Sequence, residues 1–159
     1  MCGRYSFAIV DELINAKAET IDERPAYRNA FKKRRCLVPA DGFYEWKKNG
    51  NKIPYRIILK NGDPFAMAGI WEKWVSSDGE IIHSFSIITT EPNELMAPIH
   101  DRMPVILLPE TEKMWLDDTN EEVLKGLLKP YPADLMRAFP ISTLVNSPKN
   151  DSQSIIKPI

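Results

Sequence analysis

Residues 43–90 read FYEWKKNGNKIPYRIILKNGDPFAMAGIWEKWVSSDGEIIHSFSIITT and predict a β-meander. In this segment short aromatic and β-branched runs alternate with turn signals, as in antiparallel strands that follow one another along the chain. Asn61-Gly62 between two extended runs is a strong hairpin signal. The predicted strands are residues 43–46, 55–59, 65–75 and 81–90, with turns at 49–51, 61–62 and 77–79.

The chain after residue 90 is predicted to be more helical. Thr90 is expected to cap a short helix that runs through Met96. Two amphipathic helices are then predicted, over residues 109–116 and 120–128. Asn120 is the expected N-cap of the second, because its side chain can accept a hydrogen bond from a free backbone N–H.

Length and composition predict one domain of class α+β over residues 1–159. The chain has 159 residues, of which 43% are apolar and 27% charged, as in a globular protein with a single core. The expected architecture is a curved, mostly antiparallel sheet with a few short helices, followed by an irregular tail with short strands over residues 140–159. No run of 18 apolar residues and no secretory signal is present, which favours the cytoplasm and excludes a membrane partner.

The charge is divided unevenly along the chain. Residues 1–60 carry 13 Lys/Arg against 7 Asp/Glu, whereas residues 61–159 carry 8 against 15. Residues 24–35 contain six positive charges, two aromatic residues and no acid, a pattern that fits either a nucleic-acid face or a solvated helix face. The candidate DNA-binding residues of this basic run are Arg28, Lys32 and Lys33.

Cys2 is a candidate nucleophile because of its position. Removal of Met1 before a small second residue would leave a cysteine with both a free α-amine and a thiol. An α-amine has a pKa of about 8, so part of it is neutral near pH 7 and can condense with an aldehyde to a Schiff base. The thiol can then close a five-membered thiazolidine ring. The alternative is an ordinary second residue, and Cys36 is expected to be a buried structural cysteine.

Two further residues are candidates for acid–base chemistry. His100 lies in Pro98-Ile99-His100-Asp101-Arg102-Met103-Pro104, where a histidine beside a carboxylate and a guanidinium fits either proton transfer or a solvated turn. Glu45 alternates with Phe43 on one face of a short strand, so it is either a carboxyl with a raised pKa or an exposed strand residue. His83 is expected to be structural or exposed on a strand.

No metal site or cofactor is predicted. The two cysteines and two histidines lack the CxxC or HxxxH spacing of zinc ligands, and the two cysteines do not make a disulfide framework. A Gly-rich phosphate loop and the GxSxG motif of serine hydrolases are also missing.

Several motifs in order resemble the SOS response-associated peptidase (SRAP) family of abasic-site processing proteins. The match begins at the N-terminus, covers the segment around Glu45 and includes the segment around His100. The motifs are Met1-Cys2-Gly3-Arg4, Ile14-Asn15-Ala16-Lys17-Ala18-Glu19-Thr20, Arg35-Cys36-Leu37-Val38-Pro39-Ala40-Asp41-Gly42-Phe43-Tyr44-Glu45-Trp46, Ala68-Gly69-Ile70-Trp71, Ile87-Ile88-Thr89-Thr90, Ile99-His100-Asp101-Arg102-Met103-Pro104-Val105 and Val145-Asn146-Ser147-Pro148-Lys149.

The resemblance implies a monomer that binds single-stranded DNA and traps abasic sites as a thiazolidine, after self-catalysed removal of Met1. Cys2 would be the covalent nucleophile, and Asn15 would hold the N-terminal amine and the sugar. Glu45 would assist sugar ring opening and proton transfer, and His100 would support the Schiff-base chemistry and its reversal. The implied contacts to the DNA backbone are Arg4, Lys17 and Thr89.

The sequence departs from the family pattern at two places. Family members have several dozen residues between the CGR start and the motif that begins at Ile14, with Tyr-Asn-x-Ala-Pro and Trp-Gly-x-x-Pro segments, so an internal deletion is inferred near residues 7–13. Lys17 stands where arginine is usual, which keeps the charge but removes bidentate phosphate contact. The alternative functions are a cysteine peptidase, acting on itself or on other proteins, and a non-catalytic DNA-binding relative.

Overall fold

Two β-sheets share one hydrophobic cluster in the computed structural model, which describes residues 15–47, 53–150 and 152–159. The strands are β1 (Asn15–Lys17), β2 (Arg35–Ala40), β3 (Phe43–Trp46), β4 (Pro54–Leu59), β5 (Phe65–Val75), β6 (Ile81–Thr90), β7 (Met103–Pro104), β8 (Ile106–Leu107) and β9 (Met136–Pro140). The α-helices of the described residues are α1 (Arg28–Lys33), α2 (Pro109–Asp117) and α3 (Glu121–Leu127). Short 3-10 turns lie at Ala18–Thr20, Ala133–Leu135, Thr143–Asn146 and Gln153–Ile156.

The large sheet has the order β1-β6-β5-β2, with β7 paired to β6 and β8 paired to β5. Its pairs are antiparallel except for β1 and β6, which run parallel. The small sheet is antiparallel, in the order β3-β4-β9. The α+β class and the curved, mostly antiparallel sheet predicted from the sequence are thus confirmed.

The large sheet buries apolar side chains on both faces. Ala68, Ile70 and Ile88 belong to the cluster that packs against the helices, and we call this side the helical face. Met67 and Ile87 belong to the cluster shared with the small sheet, and we call this side the inner face. Alternate residues of β5 and β6 therefore point to opposite faces, as strand geometry requires.

Two local predictions are wrong. Asn61-Gly62 does form a turn, with Gly62 at φ 81°, but it joins β4 of the small sheet to β5 of the large sheet, and these strands do not pair. Thr90 caps no helix, because it is the last residue of β6 and pairs with Met103. The segment after it forms turns instead, in which Asn93 Oδ1 accepts a hydrogen bond from the Met96 N–H at 3.0 Å.

The predictions for the two later helices are confirmed. α2 and α3 lie where the amphipathic pattern placed them, and the Asn120 side chain accepts from the Glu122 N–H at 3.0 Å. The tail joins its ends through a bridge between Ile141 and Pro158 and packs its own small apolar cluster. Within the described part of the chain, no helix has the length and apolar character needed to cross a membrane.

Arg35 fixes α1 and α2 to the edge of the large sheet. Its guanidinium donates to five backbone carbonyls and lies 5.7 Å from the centre of the Trp115 ring. Those carbonyls belong to Phe31, Lys32, Trp115, Leu116 and Asp118, at 2.6–3.2 Å. Trp115 in turn donates its indole N–H to the Cys36 carbonyl at 3.1 Å. This part of the basic run is therefore structural.

We expect Arg35→Lys to lower the free energy of unfolding by about 2–3 kcal/mol, because one ammonium cannot reach carbonyls that a planar guanidinium bonds together. Urea unfolding followed by circular dichroism measures the change. Arg28→Lys, an exposed position on α1, is the matched control and should stay within about 0.5 kcal/mol of the wild type. Equal stability of both variants would show that the Arg35 contacts are energetically neutral.

Candidate active site

Glu45 lies on β3 with its carboxyl facing the core. The strand buries Phe43 and Glu45 on one side, as the alternation predicted, and Glu45 is only 3% exposed. The alternative of an exposed strand residue is therefore wrong. Burial raises the pKa of the Glu45 carboxyl, while the nearby His100 acts to lower it and Asp101 to raise it. A carboxyl in this position can hold a proton at a higher pH than an exposed glutamate.

His100 faces Glu45 from the loop between β6 and β7. Its Nε2 lies 3.9 Å from Glu45 Oε2, and 15% of its side chain is exposed, so the alternative of a solvated turn is wrong. Nδ1 accepts a hydrogen bond from the Arg102 N–H at 3.1 Å, which suits a neutral ring with its proton on Nε2. Nδ1 also lies 3.2 Å from the Arg102 carbonyl and from Asp101 Oδ1, which suit a proton on Nδ1. The loop thus accommodates a proton on either ring nitrogen.

Asn93 holds this loop in place. Its Nδ2 donates to the Tyr131 carbonyl at 2.7 Å, and its Oδ1 accepts from the Met96 N–H. The Met96 carbonyl then accepts from the His100 N–H at 2.9 Å. Sequence reasoning missed Asn93, because a polar residue near a proline and a turn gives no sign that it bridges to a segment 38 residues away.

Strand β1 places two more of the predicted site residues, Asn15 and Lys17, on the inner face of the large sheet. Asn15 pairs with Ile87 and Lys17 with Thr89 in the parallel ladder. Since the intervening Ala16 is buried in the cluster on the helical face, Asn15 and Lys17 belong to the inner face. Asn15 Oδ1 is buried and accepts no hydrogen bond from the described residues. This side chain therefore offers a buried acceptor on the inner face.

Arg102 connects β6 to the turn after β1. It donates to both carboxylate oxygens of Glu19, at 2.7 and 2.8 Å, and to the Thr89 carbonyl at 2.6 Å. The hydrogen bond from Arg102 lowers the pKa of Glu19, more strongly than burial raises it. Thr89 Oγ1 is itself 3.4 Å from the Ala16 carbonyl. The sequence gives no sign that Glu19 pairs with Arg102, because the two residues are 83 positions apart and meet only in the fold.

The basic residues Arg28, Lys32 and Lys33 lie apart from this inner-face group. They are on α1, whose Ala30 and Phe31 pack into the cluster on the helical face. Lys32 Nζ pairs with Glu121 Oε1 at 2.8 Å. Their role in DNA binding stays a prediction. It would place DNA on the helical side of the large sheet, away from Glu45 and His100.

The remaining candidates are placed as follows. Cys36 is half-buried on β2, where burial raises the pKa of its thiol, in keeping with a structural role. His83 is exposed on β6 and its ring lies 5.9 Å from that of Trp71. Cys2 and Arg4 lie outside the described residues, as does the inferred deletion near residues 7–13. Among the described residues, no group of three His, Cys, Asp or Glu side chains could hold a metal ion.

Comparison with known proteins identifies the family. The sequence profile of "SOS response associated peptidase (SRAP)" matches residues 1–148. The abasic site processing protein YoqW of Bacillus subtilis is 51% identical over 150 residues, covering 92% of this chain and 67% of its own. The abasic site processing protein HMCES of Xenopus tropicalis is 33% identical, covering 87% of this chain and 48% of its own.

A solved structure supports the same conclusion. The crystal structure of a Bacteroides thetaiotaomicron protein superposes with a TM-score of 0.85 at 38% identity, covering 92% of this chain and 66% of that one. The chain thus spans about two thirds of the length of these bacterial relatives and about half of the vertebrate one. On its sequence and its fold alike, this chain belongs to the SRAP family.

Proposed function

We propose that this protein captures abasic sites in single-stranded DNA as a covalent thiazolidine formed by Cys2 after self-catalysed removal of Met1. The observation that carries the proposal is the buried Glu45 carboxyl facing His100 at 3.9 Å, in a family whose relatives are named abasic site processing proteins. A proton donor held beside a histidine is what Schiff-base formation from an aldehyde needs. The protein would act as a monomer on DNA in the cytoplasm.

The reaction balances without a cofactor. The α-amine of Cys2 adds to the aldehyde carbon of the ring-opened sugar, and the carbinolamine loses its hydroxyl as water with a proton from Glu45. The thiol sulfur then adds to the carbon of the resulting iminium, and the thiol proton returns to the Glu45 carboxylate, so that the carboxyl is regenerated and one water is released overall. His100 relays protons to and from Glu45, and the buried Asn15 oxygen accepts a hydrogen bond from the amine.

The DNA backbone would run beside the same residues. Lys17 and Thr89 are opposite each other on the inner face. The exposed Lys17 is suited to contact a phosphate, and Thr89, which is 8% exposed, would contact the backbone beside it. Arg4 would contribute a further contact. Arg28, Lys32 and Lys33 would form a second, nonspecific basic surface on α1.

The two cysteines give a matched test of the nucleophile. We expect Cys2→Ala to abolish the band that survives a denaturing gel after incubation with a single-stranded oligonucleotide carrying one abasic site. Cys36→Ala should keep it, because the Cys36 thiol is half-buried and its pKa is raised. Intact mass must first confirm that Met1 is removed. A band of unchanged strength with Cys2→Ala would contradict the assignment.

Glu45 should make stability depend on pH. The folded state raises the pKa of this carboxyl above its ordinary value of 4.5, so the stabilisation that protonated Glu45 gives is complete below that pH and is lost as pH rises through the folded pKa. The Glu45→Gln variant does not lose stability in this way, because its amide does not ionise. Its free energy of unfolding should rise relative to wild type between pH 4.5 and 8, by about 1.4 kcal/mol for each unit of raised pKa.

Urea unfolding at a series of pH values measures that difference. Glu94→Gln, an exposed position in the loop of His100, is the control and should track the wild type at every pH. The same Glu45→Gln protein should form the crosslink at least tenfold more slowly, because its amide cannot donate the proton. A rate equal to the wild type would remove Glu45 from the proposed chemistry.

The basic surface on α1 is tested by salt dependence. The double variant Lys32→Gln/Lys33→Gln should bind single-stranded DNA more weakly, with the slope of log K against log salt reduced by about one to two. Lys113→Gln, on the exposed side of α2, serves as the single-charge control. Fluorescence anisotropy at four salt concentrations provides the slopes, and unchanged slopes would exclude α1 from the DNA contact.

A further inference from the structure

The β5–β6 hairpin extends beyond the part of the inner face that the small sheet covers. Burial falls steadily along both strands, from the buried half of β5 that ends at Ile70 to the exposed Lys73–Val75, and from the buried Ile87 back to the exposed Ile81. Large apolar side chains remain exposed at the far end: Trp74 59%, Val75 54%, Ile81 59% and Ile82 39%. Exposed apolar side chains at the end of a strand pair, here one pair on each face, indicate an interaction surface.

The pairing register separates the two faces of this hairpin. Trp71 lies opposite Phe85, Lys73 opposite His83 and Val75 opposite Ile81. These six residues share the inner face, because they alternate with Ile70 and Ile88 of the helical face. Trp74 and Ile82 lie opposite each other on the helical face.

The inner face of the hairpin is rich in rings and continues directly into the candidate site. The Trp71 and His83 rings lie 5.9 Å apart at an interplanar angle of 37°, and the exposed Lys73 is opposite His83. From Thr89, beside the His100 loop, to Ile81 the strand covers roughly 26 Å at about 3.3 Å per residue. That length accommodates several nucleotides of an extended strand.

We propose that the inner face of the β5–β6 hairpin is a stacking surface for unpaired bases that leads single-stranded DNA to the Glu45–His100 site. Trp71 and His83 present rings on which successive bases stack, above Phe85, which packs partly against the inner cluster, and Lys73 meets a phosphate. Stacking on these rings requires bases that are not paired within a duplex, so this surface selects single strands. This inference rests on the proposed function, because it supplies the substrate of the same site.

Negative charge limits the proposed DNA-binding surface at the turn between β5 and β6. The turn that joins the two strands carries Asp78 and Glu80, both exposed, which repel a phosphate backbone. Lys73 and, beside the site, Lys17 are the cations of the inner face along β1, β5 and β6. The DNA strand is therefore attracted to the region between Lys17 and Lys73 and is repelled by the acidic turn between β5 and β6.

Neighbouring register pairs provide the test. The inner-face variant Lys73→Gln/His83→Ala and the helical-face variant Trp74→Ala/Ile82→Ala change adjacent exposed pairs of one hairpin. The probe is a 12-nucleotide single strand without an abasic site, followed by fluorescence anisotropy, with the same sequence as a duplex for comparison. The inner-face variant should bind the single strand about tenfold more weakly, with the salt slope reduced by about one.

The helical-face variant should bind the single strand within twofold of the wild type, and duplex affinity should change little in either variant. Equal losses in both variants, or no loss in either, would overturn the proposal. A change of oligomeric state in the inner-face variant with unaltered DNA affinity would also overturn it and assign the surface to a second copy of the chain. Thermal unfolding of both variants checks that each is folded.

The proposed crosslinking activity is judged separately, with the wild type and an abasic oligonucleotide. If the wild type forms no crosslink but the loss of affinity is confined to the inner-face variant, the stacking surface stands and the covalent chemistry does not. If the crosslink forms and the face dependence is missing, the chemistry stands and the stacking surface is excluded.

Discussion

Strand β6 is the element on which the site depends, because it pairs with three other strands, β1, β5 and β7. Its parallel partner β1 contributes Asn15 and Lys17, and its antiparallel partner β7 ends the loop that carries His100. The long pairing with β5 fixes the direction of the whole inner face. A one-residue slip of β6 would turn Thr89 to the helical face and separate these groups.

The second constraint is the burial of Glu45 between the two sheets. A carboxyl that is 3% exposed loses hydration, and this raises its pKa because the charged form is disfavoured in an apolar environment. The His100 ring at 3.9 Å offers a partner for that proton, and its own loop is held by Asn93 and Arg102. The geometry thus keeps the buried Glu45 carboxyl and the His100 ring side by side.

The basic run shows how a charge pattern divides among different tasks. Arg35 is used to tie two helices to the sheet through backbone carbonyls, and Arg34 pairs with Glu72. Lys33 and Arg28 stay exposed on α1. Sequence reasoning did not identify the structural role of Arg35, because a run of positive charges does not reveal which of them meet carbonyl groups that lie 80 residues away.

The sequence by itself determined that Glu45 and Phe43 share one face of a strand, the positions of β5 and β6, and the capped helix α3, because each depends on neighbours within a few residues. Its ordered motifs also determined the family. Only the tertiary structure decided that β4 and β5 belong to different sheets, that Asn15 and Lys17 lie beside Thr89, and that Arg102 binds Glu19. The last two relations join segments 72 and 83 residues apart. They follow from strand pairing and the packing of one sheet on another, which no local pattern specifies.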